Sequence, residues 1–200
     1  MIFLIIPCAF LGAVKSWDPR VIARPVVQFI PETSLPSDCW AVLSPQSRPN
    51  LVYAGYSDGF FRIFDVRNAK MVSSHKLSSG ICAADVNDGL PVVCSTQGGS
   101  ITSVDVDTNG TISPLSSREK AHQGTSWSVK YVGSANVVSS GSAGDLKVWD
   151  VGARGRPPMP HLSSFPSHHS ILSIDVLHKK PSIIVCASLD NTIRVLYFPL

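Results

Sequence analysis

The chain has 200 residues, of which 44% are hydrophobic and 16% are charged, and it contains 14 glycines and 15 prolines. Its net charge of +3 comes without any local cluster of Lys and Arg, which argues against a phosphate-binding surface and therefore against nucleic acid as a ligand. The hydrophobic content excludes a disordered chain, and the many turn-forming residues with few charges predict an all-β fold.

The first 14 residues, MIFLIIPCAFLGAV, are uncharged and almost entirely apolar. This segment is shorter than the ~18 residues that span a bilayer, and no basic residue precedes the apolar run as in a signal peptide. We therefore expect no contact with a membrane, and strands whose neighbouring strands are missing. The alternative is a signal peptide, in which case the protein would be a secreted enzyme with Asn109 as a glycosylation acceptor.

The five cysteines are odd in number and none of them forms a Cys-x-x-Cys pair. The sequence therefore predicts neither a disulfide framework nor a structural zinc site. Most of the cysteines lie in apolar runs, as Cys186 does, so we expect buried free thiols in a reducing compartment. The six histidines lack acidic or thiol ligands at suitable spacing, and no phosphate-binding or hydrolase motif occurs. We expect no metal, no cofactor, no catalysis and no small-molecule substrate.

A strand-turn-strand pattern recurs along the chain. Each copy has an apolar strand, a bend of small residues, a tight turn and a second strand that ends near an aspartate. The complete copies are residues 51–65, 91–105, 137–150 and 184–197. With a partial copy that ends at Trp17-Asp18, the successive positions equivalent to Trp17 are 47, 40, 45 and 47 residues apart. This spacing is typical of the roughly 40–45-residue blade of a WD-repeat β-propeller.

A blade of this kind is held by a buried His, Ser, Asp and Trp that are hydrogen-bonded in series, and we expect no copy to keep all four. The copy with His122 and Trp149 has Ala143 at its turn, and the copy with Asp190 has Leu196 in place of Trp. Histidines precede two of the upstream strands, at His122 and at His168-His169. The residues predicted to form the structural blade motifs are Trp17, Asp18, Asp58, Phe64, Asp65, Asp105, His122, Trp149, Asp150 and Asp190.

The predicted fold class is an all-β WD-repeat β-propeller with about four blades and a partial one. Residues 1–30 are expected to form the partial first blade, with its atypical apolar start, and residues 31–200 the others. The four blades are expected at about 38–78, 79–116, 122–165 and 168–200. Because a propeller closes when its last blade takes its outer strand from the chain's start, we expect an open arc rather than a closed ring.

Several stretches resemble a particular family more closely than blade packing requires. They are Trp17-Asp18-Pro19-Arg20, Asp38-Cys39-Trp40, Ala54-Gly55-Tyr56, Glu119-Lys120-Ala121-His122 and Leu189-Asp190-Asn191-Thr192. From about Gly12 to Pro199 the chain resembles the second half of WD-repeat proteins of the Monad type, which are axonemal dynein assembly factors. The resemblance implies a cytoplasmic, non-catalytic adaptor that binds prefoldin-like co-chaperone subunits, with dynein subunits as clients.

Trp, Tyr and Arg dominate the hot spots of protein interfaces. On that ground the candidate partner-binding residues are Trp40, Tyr56, Trp127, Arg20 and Arg67. Core packing of the tryptophans, and pairing of each arginine with the aspartate two residues before it, are the alternatives. Arg20 and Arg67 also complete a Trp/Phe-Asp-x-Arg pattern that is found in substrate receptors of cullin-RING ubiquitin ligases, which gives an alternative function.

Overall fold

A computed structural model of the chain describes residues 4–7, 12–21, 23–31, 37–151, 156–177 and 183–198. The regular secondary structure in these residues consists of β-strands alone, which confirms the predicted all-β class. The described part of the chain has no helix with the length and apolar content needed to cross a membrane. The segments 1–3 and 8–11 of the apolar start lie outside the described residues.

The chain divides into two compact units. Unit 1 consists of Met1–Ile81 and Val106–Ile112, and unit 2 consists of Cys82–Asp105 and Ser113–Leu200.

Unit 1 contains two antiparallel sheets, with strand orders β1-β2-β3 and β4-β5-β6-β7. The strands are β1 (Leu4–Pro7), β2 (Val14–Trp17), β3 (Val27–Phe29), β4 (Cys39–Leu43), β5 (Leu51–Tyr56), β6 (Phe60–Asp65) and β7 (Lys70–Lys76). The apolar start thus contributes one strand, β1, which pairs with β2.

Unit 2 contains sheets with the orders β11-β10-β9-β8, β12-β13-β14-β15 and β16-β17-β18, except that the strand-end residues Ile81, Val106 and Ile112 of the first of these sheets are assigned to unit 1. The strands are β8 (Ile81–Asp85), β9 (Val92–Thr96), β10 (Ile101–Val106), β11 (Ile112–Arg118), β12 (Ser126–Val132), β13 (Asn136–Gly141), β14 (Leu146–Asp150), β15 (Met159–Ser164), β16 (Ile171–Val176), β17 (Ile183–Ser188) and β18 (Ile193–Tyr197).

Burial differs between the strands within one sheet. The second strands β5, β9 and β13 are buried along almost their whole length, as expected for sheets covered on both faces. The outer strands β7 and β15 are largely exposed. This gradient explains why the second strands read as continuous apolar or small residues, whereas the outer strands carry Ser, His and Lys.

Each unit has its own apolar core. In unit 1, Phe29 stacks on Phe64 with ring centroids 4.8 Å apart, and the two rings pack with Val14, Val52 and Tyr56. In unit 2, β12, β14, β16 and β17 contribute to one cluster that is lined by Val148, Ile174 and Ile184. A second cluster in unit 2 surrounds Trp149 and Val137.

Candidate partner-binding residues and the buried network behind them

Four buried polar side chains of unit 2 are hydrogen-bonded in series. His122 Nδ1 lies 2.7 Å from Asp145 Oδ2, and His122 Nε2 lies 2.6 Å from Ser139 Oγ. Trp149 Nε1 donates to the same Ser139 Oγ at 2.7 Å. Because a carboxylate can only accept, the imidazole N–H lies at Nδ1 facing Asp145, and Nε2 then accepts from the Ser139 hydroxyl.

This network corrects the expectation that no copy keeps all four residues of the blade motif. The aspartate comes directly after Gly144, at position 145, and not before it, where Ala143 stands. Gly144 has a φ of +81°, so the turn itself is conventional. Gly141 makes room for the pair, because a Cβ there would lie 2.2 Å from Asp145 Oδ1 and 2.4 Å from His122 Nδ1.

The charge of Asp145 is balanced inside the sheet. Its carboxylate lies 3.2 Å from Lys147 Nζ, which also donates to the carbonyl of Ala121 at 2.6 Å. Burial acts to raise the pKa of Asp145, but the hydrogen bond from His122 and the hydrogen bond and charge of Lys147 outweigh burial and lower the pKa. Asp145 is therefore an anion in the folded protein, and the network is a fixed structural element.

The two turn aspartates that the sequence predicted, Asp58 and Asp190, pair with arginine instead of histidine. Asp58 Oδ2 lies 2.9 Å from Arg62 Nη2 in unit 1, and Asp190 Oδ2 lies 2.6 Å from Arg194 Nη2 in unit 2. Ser167 Oγ donates to Asp190 at 3.3 Å and lies 2.9 Å from Ser188 Oγ. In this sheet Ser167 therefore takes the place of the motif histidine.

The remaining motif residues lie in strands, and the histidine pair His168-His169 lies between strands. Trp17 is half-buried at the end of β2, Asp105 is half-buried in β10, and Asp150 is exposed at the end of β14. His168 and His169 are both exposed, outside the buried network.

The candidate contact residues of unit 1 differ sharply in exposure. Trp40 in β4 is 39% exposed, as a contact residue must be. Tyr56 is fully buried and donates its hydroxyl to the carbonyl of Gly12 at 3.0 Å, so it is a core residue and offers no surface.

Arg20 and Arg67 both lie on the surface of unit 1. Arg20 Nη2 is 2.6 Å from Asp18 Oδ2, and Arg67 Nε is 3.6 Å from Asp65 Oδ1. Hydrogen bonds from Arg20 lower the pKa of Asp18 to about 2. Each arginine thus pairs with the aspartate two residues before it, which is the alternative to partner binding.

In unit 2 the corresponding strand positions are held by Trp127 and Leu172. Trp127 is half-buried and its Nε1 donates to Ser142 Oγ at 3.0 Å. The register of the inner strands places Leu172 at the same point of the next sheet, directly after Ile171, and its side chain is exposed. Sequence reasoning missed Leu172, although its place one residue into β16 is the signal that could have found it.

Among the described residues no group of three or more His, Cys, Asp or Glu side chains is placed to hold a metal ion. Cys39, Cys82, Cys94 and Cys186 are free thiols. Burial raises the pKa of Cys94 to about 12, so this thiol is neutral at physiological pH.

Comparison of sequences places the chain beside a set of assembly factors. It is 29% identical over 212 residues to Dynein axonemal assembly factor 10 of Xenopus tropicalis, and 28% identical over 213 residues to the Homo sapiens protein of the same name. Each alignment covers 92% of this chain but only 59% of the relative. No protein-family model matches the chain. The predicted resemblance to axonemal dynein assembly factors is confirmed.

Comparison of structures gives the fold. The β-propeller domain of Myceliophteria thermophila Cps50 (Swd1) matches with a TM-score of 0.77 and 13% identity, covering 98% of this chain and 62% of that one. A chain of the mitotic checkpoint complex matches with a TM-score of 0.83 and 12% identity, covering 98% of this chain and 59% of that one. These matches confirm the predicted WD-repeat β-propeller fold.

Proposed function

We propose that this chain is part of a non-catalytic, cytoplasmic WD-repeat scaffold that acts in the assembly of axonemal dynein arms. Its partners would be prefoldin-like co-chaperone subunits, and dynein subunits would be the clients. The similarity to Dynein axonemal assembly factor 10 along 92% of the chain is the observation that carries this proposal.

The side chains support a binding function over a catalytic one. The buried His122 is bonded through both of its ring nitrogens, so it has no free nitrogen to act as a base on a substrate. The serine that it contacts, Ser139, is fully buried and accepts from Trp149. This His-Ser-Asp set therefore resembles a hydrolase triad in composition only, because a nucleophile must be reachable by substrate.

The exposed face of Trp40 is the candidate contact. A large aromatic side chain that is fixed in a strand and open to solvent suits an interface hot spot, since it buries much area at small entropic cost. Replacing such a residue by alanine costs ~2 kcal/mol or more of binding free energy, which is about a 30-fold loss of affinity.

The experiment is capture of purified prefoldin-like co-chaperone subunits by the expressed chain. We expect binding, and a loss of about 30-fold for Trp40→Ala. Met71→Ala, an exposed apolar residue of the outer strand β7, is the matched control and should bind normally. If the chain and its longer relatives both fail to capture these subunits, the proposal is refuted.

A substrate receptor of a cullin-RING ubiquitin ligase is the second candidate function. The observation in its favour is that Arg20 and Arg67 expose 76% and 67% of their side chains although each pairs with an aspartate. This function requires that Arg20→Ala and Arg67→Ala each abolish capture of the ligase adaptor. Unchanged capture by both variants would exclude it.

A further inference from the structure

A groove in unit 1 lies between its two sheets, and the functions proposed above do not use it. One side is formed by residues 28–31, at and just after the end of β3, and the other by Phe64 of β6 and residues 69–71 at the start of β7. Its volume of about 520 Å³ falls in the range of roughly 300–1,000 Å³ that is usual for ligand sites.

The groove has an aromatic floor and apolar sides. The floor is the stacked pair of Phe29 and Phe64, whose side chains are buried. The sides carry Ile30 and Met71, which are 59% and 50% exposed. A ligand that covers these two side chains removes apolar surface from water, which is the main driving force for association.

The groove also presents a positive charge. Among the described residues that line it, Lys70 alone is charged, and it forms no ion pair with a described acidic residue. Asp65 lies opposite Lys70 in the strand register. The Asp65 carboxylate, however, accepts hydrogen bonds from the Arg67 amide and from Asn68 Nδ2, each 2.8 Å long. The cation at Lys70 therefore favours an acidic ligand.

The backbone is strained where it borders the groove. Ala69 has a φ of +51°, a left-handed conformation in which a Cβ crowds the following carbonyl oxygen. In the turn between β10 and β11 the residue with positive φ is a glycine, Gly110, which has no such cost. Ala69 instead belongs to the lining of the groove. Residues that are held against their backbone preference cluster at ligand-binding sites, so the strain is a second indication of binding.

We propose that this groove binds an extended segment of a partner protein in which an acidic residue stands between two large apolar residues. Alternate side chains of an extended chain share one face, so the two apolar side chains lie on the aromatic floor between Ile30 and Met71. The acidic side chain faces the rim, where the flexible Lys70 side chain pairs with it.

Segments of this kind within the chain are already used in its own cores. In the described residues, two large apolar residues flank a single acidic residue at 64–66, 104–106, 149–151 and 174–176. All of these apolar side chains are buried. The described part of the chain, or of a second folded copy, therefore has no free segment of this chemistry, which favours a partner protein as the occupant.

This inference does not rest on the proposed role in dynein assembly. Trp40 lies in β4, the first strand of its sheet, whereas Met71 lies in β7, the last strand. Met71→Ala should therefore weaken binding of the acidic segment while it leaves capture through Trp40 unchanged. The two proposals can fail separately.

The test uses a fluorescein-labelled peptide, GSDLELDGS, titrated into the purified chain and followed by fluorescence anisotropy. We expect saturable binding. Replacing both leucines by serine, or all three acidic residues by their amides, should weaken binding at least tenfold, because the first change removes the apolar contact and the second removes the charge. No saturable binding by the parent chain overturns the proposal.

The protein variants are placed at exposed positions, so they should keep the urea midpoint of the parent chain. Lys70→Glu should bind the peptide at least tenfold more weakly, because it replaces an attraction by a repulsion. Lys76→Glu makes the same charge change in the same strand but outside the lining, and should bind within about twofold of the parent chain. Equal binding by Lys70→Glu and Lys76→Glu would contradict the proposal.

Ile30→Ser tests the apolar side of the groove and the identity of its occupant. It should bind the peptide about tenfold more weakly, since it removes an apolar contact without changing the charge. We expect the parent chain to sediment as a monomer. A parent dimer that becomes monomeric in Ile30→Ser would show that a second copy fills the groove, and would overturn the proposal.

Discussion

The β5–β6 hairpin of unit 1 and the β17–β18 hairpin of unit 2 have the same local construction but different surroundings. Each turns at a residue with positive φ, Gly59 at +86° and Asn191 at +61°, directly after an aspartate that binds an arginine four residues later. Phe61 and Ile63 are fully buried, whereas the equivalent Ile193 and Val195 are exposed. The turn is therefore determined within the hairpin, and burial is determined by the neighbouring sheet.

Gly55 shows how closely a neighbour approaches the covered hairpin. A Cβ at Gly55 would lie 2.5 Å from Ile81 Cγ2, so a side chain there is excluded by the next segment of unit 1. The register gives Ala187 as the equivalent residue in the β17–β18 hairpin, and Ala187 is exposed. The same repeat unit thus contributes core in one place and surface in the other.

The largest expected effect is the difference between Phe61→Ala and Ile193→Ala. Truncating a buried phenylalanine leaves a cavity and should lower the free energy of unfolding by ~3–5 kcal/mol. Truncating the exposed Ile193 should change it by less than ~0.5 kcal/mol. Urea denaturation of both variants measures the difference, and equal losses would show that the Ile193 face is covered in solution.

The next effect is the contrast between Arg62→Ala and Arg194→Ala. Arg62 is only 4% exposed and lies over the Tyr56 and Phe60 rings at 4.2 and 4.6 Å, whereas Arg194 is 29% exposed. Removing Arg62 should cost ~2–3 kcal/mol, because a packed cation is lost and Asp58 loses its partner. Removing Arg194 should cost much less, because an ion pair that is open to solvent contributes little to stability.

The urea midpoints of the Arg62→Ala and Arg194→Ala variants measure this difference in stability. Arg62→Lys serves as the control that keeps the charge but loses the planar stacking. If Arg62→Ala and Arg194→Ala lower the midpoint equally, the covering rings contribute nothing.

A smaller effect should separate the two turn residues. Gly59→Asn should destabilise by ~1 kcal/mol, because a Cβ at Gly59 meets the Ser79 carbonyl oxygen at 3.0 Å. Asn191→Gly should change the free energy of unfolding by only a few tenths of about 1 kcal/mol, since both Asn and Gly accept the left-handed backbone conformation. Thermal unfolding of the two variants measures this, and a costly Asn191→Gly would indicate a contact of the Asn191 side chain.

The smallest expected effect is a dependence on pH that both hairpins share. Burial acts to raise the pKa of Asp58, but the hydrogen bonds from Arg62 and from the Phe60 amide, together with the charge of Arg62, outweigh burial and lower the pKa. The Arg194 hydrogen bond lowers the pKa of Asp190. A carboxyl with a lowered folded-state pKa stabilises the protein above its unfolded pKa of about 3.9, and this stabilisation is lost as pH falls through the folded value.

Asp58→Asn and Asp190→Asn should therefore each make the fall of the urea midpoint below about pH 4 shallower. The urea midpoints of the two variants should differ from that of the parent chain at neutral pH and converge with it in acid. A parent-like slope in either variant would mean that its ion pair does not form in solution.

The local signals in the sequence predicted the repeated hairpins well, because turn residues and apolar strands act over a few positions. The pairing of Asp18 with Arg20 and of Asp65 with Arg67 was also foreseen as an alternative, since residues two apart in a turn have little freedom. These features depend on short-range chemistry that the sequence displays directly.

Features that depend on distant residues were less accessible. Asp145 was missed because the motif was sought before the turn glycine, while the buried space that selects a carboxylate is formed by Gly141 and His122. Tyr56 was counted among contact residues by its type, yet the carbonyl of Gly12, 44 positions away, binds its hydroxyl. Ser167 replaces a histidine, which no local pattern indicates.

The chain of hydrogen bonds from Trp149 through Ser139 to His122 joins β14, β13 and the segment before β12. Opening β13 would leave the buried indole of Trp149 and the Nε2 of His122 without their shared partner, and opening either of the other two elements would remove one of the two bonds of Ser139. Partial unfolding of this sheet is thereby penalised, so β12, β13 and β14 should open as a single cooperative unit. Such a sheet offers proteases few transiently frayed intermediates on which to act.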